Sequence, residues 1–210
     1  VAAFPDNTEV IYAVALLSVQ LSDYAVAEAN FRRLLDLEFR DQDLVRLYLG
    51  QIAEEQKRPV EAMKWYAEVE QGTHYLTARI RHAQILAQQG SLSAARAWLR
   101  DSAVTEIAQR VQLVLAEAQL LRAAGQTKPA FDMVGEELRR LPDNPELLYD
   151  YAMLAERVKR LDLLESSLRK LITLRPDHAH AYNALGYSLA DRNQRLTEAR
   201  ELIERALKLA

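Results

Sequence analysis

The sequence predicts an all-α chain built as a solenoid of six antiparallel helix pairs. Half of the 210 residues are apolar, the helix formers Ala, Leu, Arg, Glu and Gln dominate, and Gly and Pro number only six each. The same residue types return every 33 to 35 residues along almost the whole chain. Small side chains also recur at two fixed places in the period, as close crossing of two helices requires.

Taken in order, residues 1–7 are expected to close a preceding repeat, because Pro5-Asp6-Asn7 matches Pro142-Asp143-Asn144 and, more loosely, Pro176-Asp177-His178. The repeats then run over 8–42, 43–75, 76–110, 111–144, 145–178 and a truncated 179–210. Their first residues are Thr8, Asp43, Leu76, Val111, Pro145 and Ala179, spaced 35, 33, 35, 34 and 34 apart. The eighth position, on the first helix, reads Ala15, Gly50, Ala83, Ala118, Ala152 and Gly186. The twentieth, on the second helix, reads Ala27, Ala62, Ala95, Ala130, Leu164 and, after a one-residue insertion, Ala199. One turn further come Phe31, Tyr66, Leu99, Val134, Leu168 and Ile203, bulky groups expected to fill the core between pairs. Gly90 and Gly125 are expected to end first helices, Pro142 and Pro176 to follow second ones, and Asn144-Pro145-Glu146 reads as a capped helix start. Replacing Gly186 or Ala95 by Leu should overpack a crossing and cost about 1 to 3 kcal/mol, seen as a lowered melting temperature.

Composition and motifs narrow the function. With 27 basic and 30 acidic residues, no global field draws the chain to nucleic acid or anionic lipid. The longest nearly apolar run, residues 10–19, is about half the length of a bilayer span. Without cysteine there is no disulfide, thiolate metal site or Cys nucleophile, and either redox compartment is allowed. No Ser-His-Asp set or phosphate-cradling Gly loop is present. Glu54-Glu55 and Glu136-Glu137 point about 100° apart on a helix, the geometry of solvated faces. Asp177-His178-Ala179-His180 lacks a third and fourth metal ligand and reads as a capped, exposed turn. His74 reads as a loop residue and His82 as a packing residue. Arginine outnumbers lysine by 21 to 6, and the pairs Arg32-Arg33 and Arg139-Arg140 are expected on solvated outer faces. The expectation is therefore no enzyme, no cofactor and no metal.

Tyr182, Leu185, Gly186 and Ala199, and again Leu49, Gly50, Ala62 and Tyr66, resemble the pattern of the tetratricopeptide repeat family. The likeness is loosest in the fifth repeat, where Tyr151 and Leu164 replace the usual Leu and Ala and altered packing is expected. The resemblance implies a right-handed superhelical solenoid whose first helices line a concave wall, and a non-catalytic scaffold that binds partner proteins or peptides there. It also implies that positions 2, 5, 6, 9, 12 and 13 of each repeat face the groove. Among the residues on those positions are Tyr12, Leu16, Tyr48, Gln51, Arg81, Gln84, Gln119, Tyr149, Met153, Asn183 and Tyr187. The four tyrosines are the expected anchors, being large, rigid and polar at the tip; the competing reading has each filling space between repeats. The carboxylate clamp of some family members needs Lys and Asn at the fifth and ninth positions, and no repeat here has that pair.

Residues 181–199 are similar to a segment of large tetratricopeptide lipoproteins of the Gram-negative envelope, one of which is an adaptor for a periplasmic carboxyl-terminal processing protease. This implies a periplasmic chain, anchored at the outer membrane in the full-length protein, with that protease and its substrates as partners. A cytoplasmic assembly or regulatory scaffold is the alternative, and a lipoprotein signal with its Cys would separate the two. RNA binding is a third reading, opposed by a groove in which carboxylates outnumber arginines. The chain is expected to be part of a longer array, with apolar ends open to self-association.

Overall fold

A computed structural model describes residues 6–209; Pro5 and Ala210, used above at the two ends of the array, lie outside them. Among the described residues there are twelve α-helices and no strand: α1 (Thr8–Gln20), α2 (Tyr24–Asp36), α3 (Gln42–Glu55), α4 (Pro59–Ala67), α5 (Tyr75–Gln88), α6 (Leu92–Arg100), α7 (Ile107–Ala123), α8 (Thr127–Arg140), α9 (Pro145–Arg157), α10 (Leu161–Leu174), α11 (Ala179–Asp191) and α12 (Leu196–Leu209). They form two compact units, Val1–Val104 with α1 to α6 and Thr105–Ala210 with α7 to α12. Within each unit the odd helix pairs with the even helix after it, and the even helix rests on the next odd one.

Local chemistry sets the helix ends. The side chains of Asn7, Asp23, Asp41 and Asn144 accept from the backbone N–H three residues on, at 2.9 to 3.2 Å. His178 does the same through Nδ1 to Ala181 N at 3.1 Å. Each such bond satisfies one of the orphan donors of a helix start. All six hairpin turns share one closure. Ser22, Lys57, Gly90, Gly125, Lys159 and Asn193 have φ between 52° and 81°. The next residue's N–H reaches back to a carbonyl five residues earlier, as in Asp23 N to Ser18 O at 2.8 Å and Gln194 N to Leu189 O at 2.9 Å.

The small positions lie at the crossings. Ala15, Gly50, Ala83, Ala118, Ala152 and Gly186 are buried, as are Ala27, Ala62, Ala95, Ala130, Leu164 and Ala199. A Cβ added at Gly186 would stand 2.8 Å from Ile203 Cγ1 and 2.9 Å from the Ala199 carbonyl oxygen, so α11 and α12 meet backbone to backbone. Phe31, Tyr66, Leu99, Val134 and Leu168 are buried between helices, while Ile203 is half-buried. Tyr151 stacks on Phe131 with ring centroids 4.7 Å apart, in space left by Gly135, where a Cβ would lie 2.8 Å from the tyrosine ring.

Two expectations about charge need correcting. Glu137 is not solvated: it is 5% exposed and bonded to Arg110 at 2.8 Å and Arg140 at 3.2 Å. Its helix face is covered by α7, so burial demands paired cations. Glu54 is half-buried and accepts a hydrogen bond from the Tyr66 hydroxyl. Nor is Arg32 merely solvated. It bonds Glu28 at 2.8 Å on its own helix and Glu61 on α4 at 2.7 Å, while Arg58 bonds the same two carboxylates. Burial alone would push the Glu28 carboxyl up, but Arg58 and Arg32 outweigh it and hold it below its ordinary range. The same square recurs 137 residues later, where Arg169 and Arg195 each bond Glu165 and Glu198, from α10 to the α12 hairpin. The flanking pair repeats too: Arg33 with Asp6 at 3.1 Å, Lys170 with Asp143 at 2.8 Å.

Candidate functional site

In the first unit, Tyr12 and Leu16 stand on α1, Tyr48 and Gln51 on α3, and Arg81 and Gln84 on α5, all first helices of their hairpins. The two tyrosines are brought together over one aromatic base. Tyr48 stacks on buried Phe31 at 5.0 Å, and Tyr12 stacks on Phe39 at 5.3 Å with its edge to Phe31 at 6.3 Å. Both tyrosines and Leu16 are half-buried against this core, so they combine the space-filling and surface roles. Burial, followed by the Tyr48 phenol beside it, pushes the Tyr12 phenol up. Arg81 is exposed, with its guanidinium 3.7 Å from Glu54; Gln51 and Gln84 are half-buried.

Between these helices opens a recess of about 370 Å³. Val19 from the end of α1, Tyr24 from the start of α2, and Tyr48 and Ile52 from α3 supply apolar surface. Gln51, Glu54 and Glu55 from α3 and Arg81 from α5 supply the polar groups. Glu54 and Glu55, expected on solvated faces, both line this recess. Tyr66, twelve residues on, donates its hydroxyl to the Glu54 carboxylate and fixes it in place, a pairing no local motif announces.

In the second unit, Gln119 stands on α7, Tyr149 and Met153 on α9, and Asn183 and Tyr187 on α11. Tyr149 is half-buried beside two imidazoles, His178 at 5.4 Å and His180 at 6.5 Å between ring centroids. Met153 is half-buried; Gln119 and Asn183 are exposed. Tyr187 is 63% exposed, the most open of the four tyrosines. Among the described residues no group of three or more His, Asp or Glu is placed to hold a metal ion, and no helix is long and apolar enough to cross a membrane. In the first unit, His82 is the packing residue expected: it stacks on Trp98 at 3.9 Å, beside the buried Arg79 guanidinium 3.6 Å over that ring.

Beside Tyr149, burial raises the Asp150 carboxyl above its ordinary value, against the pull of Arg122 at 3.8 Å. A carboxylate raised in this way costs stability above its folded pKa and nothing below its unfolded pKa. Asp150→Asn should therefore raise the melting temperature at neutral pH, and the gain should shrink as pH falls through the carboxylate range. A gain that is equal at neutral and acid pH would show that ionisation of Asp150 is not its source.

A family model described as tetratricopeptide repeat matches residues 12–75 and 165–210, a little over half of the chain. The chain belongs to the tetratricopeptide repeat (TPR) family. A TPR repeat-containing protein of Pseudomonas aeruginosa is 40% identical over 167 residues, which are 80% of this chain and 28% of that protein. This chain thus spans little more than a quarter of its curated relative. Among solved structures it is similar to a crystal structure of MamA (TM-score 0.54, 14% identity, 77% of this chain and 94% of that one). A MamA structure from Desulfovibrio magneticus scores 0.54 at 16% identity, over 80% of this chain and 95% of that one. YrrB, a TPR protein with an unusual peptide-binding site, scores 0.52 at 16% identity, over 85% and 91%. These likenesses are of fold: an all-helical TPR scaffold, an architecture suited to protein–protein interaction.

Proposed function

We propose that this TPR chain is a non-catalytic adaptor segment that holds extended stretches of partner proteins on the face built by its first helices. The observation that carries the reading is the set of aromatic and amide side chains on that face, with Tyr12 and Tyr48 backed by Phe31 and Phe39 beside an open recess. Rigid aromatic groups with polar tips anchor interfaces at low entropic cost. The peptide-binding site of the YrrB neighbour is in keeping with it. The finer part of the proposal is the setting: a longer protein of the Gram-negative envelope, serving a periplasmic carboxyl-terminal processing protease and its substrates. It rests on the resemblance of residues 181–199 and is supported by a relative in Pseudomonas aeruginosa. Association of two copies through exposed Leu17 and Leu21, or through Leu207, completes it; a monomer mass at high concentration by light scattering would remove that part.

The test is affinity capture from a Gram-negative envelope extract with this chain and with its Tyr48→Ala/Tyr149→Ala/Tyr187→Ala variant, followed by mass spectrometry. Capture of a processing protease or its substrates, lost in the variant, is the expected result. Capture that survives in the variant would move the docking face elsewhere. A clean extract with no protease or substrate retained would sink the envelope setting.

A further inference from the structure

The following inference rests on the peptide-holding reading above and names what one part of that face accepts. The apolar lining of the recess in the first unit comes from Val19, Tyr24, Tyr48 and Ile52. Its polar side is acidic. Glu54 and Glu55 meet a single guanidinium, that of Arg81, so the wall keeps a net negative charge. Glu55 is exposed and has no ion-pair partner among the described residues. Glu54 is held in place: one carboxylate oxygen accepts from the hydroxyl of fully buried Tyr66, and the other stands 3.7 Å from Arg81. Burial, with Glu54 beside it, drives the Tyr66 phenol far above its ordinary value, so the phenol remains the donor of that bond.

We propose that this recess is a subsite for a basic side chain, arginine or lysine, of the bound peptide. The methylene stem would lie along Ile52 and the tyrosine rings, and the cation would sit among the ring faces and the two carboxylates. A charge-assisted bond to a carboxylate already fixed by Tyr66 needs little reorganisation, which favours it over a contact with a free surface acid. A volume of about 370 Å³ holds a side chain rather than a helix. An acidic side chain would face Glu54 and Glu55 together, so the subsite also discriminates by repulsion. The outer-face recess around Arg32, Arg58 and Trp65 offers no such excess, because its charges close on one another in the Glu–Arg square.

The test is selection of a random peptide library displayed on phage against the folded chain, repeated on Glu54→Gln/Glu55→Gln and on Tyr12→Ala/Tyr48→Ala. Glu54→Gln keeps an oxygen for the Tyr66 hydroxyl, and circular dichroism checks that each variant is folded. The expected result is enrichment of peptides carrying Arg or Lys, with about tenfold weaker binding when that residue is replaced by citrulline or norleucine. The preference should vanish on the Glu54/Glu55 variant and weaken with added salt. Enriched peptides without a basic residue, lost on the tyrosine variant, would overturn the subsite and leave the groove reading standing. Peptides indifferent to both variants, or no enrichment at all, would overturn both.

Discussion

Gly50→Leu will lower the unfolding free energy by about 3 kcal/mol, at the upper end of what overpacking costs. A Cβ at this position would stand 2.3 Å from Cε1 of Tyr66, 2.7 Å from Cδ1 and 2.8 Å from Cζ. The ring has no room to retreat, because it is fully buried among Leu47, Ala53, Ala62, Val69 and Ala78 and its hydroxyl is tied to Glu54. Even Gly50→Ala meets the clash, and it should be relieved in Gly50→Ala/Tyr66→Leu, where the ring is gone. Gly72→Leu is the control: nothing lies within 4 Å of its Cβ, and the change should stay within about 0.5 kcal/mol. Urea denaturation followed by circular dichroism reads all four. Wild-type stability in Gly50→Leu would mean that α3 and α4 do not cross as closely as described.

Phe31→Ala should cost about 3 to 5 kcal/mol, the range for deleting a buried phenylalanine ring, and it should reach the surface as well as the core. Phe31 is fully buried and carries Tyr48 on its face and the edge of Tyr12. Without it both tyrosines lose their backing and gain rotamer freedom, so peptide affinity should fall even where the variant remains folded. Phe31→Leu separates the two effects: it keeps most of the volume and costs about 1 kcal/mol, yet removes the stacking surface. The near-ultraviolet circular dichroism of Tyr12 and Tyr48 should weaken in both variants. Unchanged tyrosine signals and unchanged peptide binding in Phe31→Leu would detach the site from this core.

The repeat was legible because sterics dictate it. Where two backbones cross, small residues are favoured, so Ala15, Gly50, Ala83 and their counterparts announce themselves at a fixed spacing, with Leu164 the one large exception. The hairpin turns were legible only in part. Gly90 and Gly125, and more weakly Asn193, advertise a left-handed residue, whereas Ser22, Lys57 and Lys159 adopt the same conformation without a residue type that eases it. There the closing hydrogen bonds and the packed helices behind them impose a backbone that local propensity disfavours. The buried charges were not legible. Helical periodicity gives the direction in which Glu137 or Arg79 points, but not that α7 covers the first or that Trp98 lies under the second. For the candidate site, the resemblance named the facing positions. It did not reveal that Tyr12 and Tyr48 share one aromatic base, because Phe31 and Phe39 belong to other segments of the repeat. The recess was hidden for the same reason: its sides come from four helices.

The Glu–Arg square has a consequence for how such chains can be recombined. Each square needs Glu and Arg from one hairpin and Arg and Glu from the hairpin that follows, as in Glu28 and Arg32 with Arg58 and Glu61. Glu165, Arg169, Arg195 and Glu198 repeat those residues in the same order. A chimera that places the α11–α12 hairpin after α2 therefore keeps all four charges matched. One that places the α5–α6 hairpin there meets Ser91 and Ala94 at the positions of Arg58 and Glu61, and strands Glu28 and Arg32. The outer faces of these hairpins thus carry a grammar of succession, a rule for which module may follow which, written in charge and independent of the apolar surfaces that hold any two modules together.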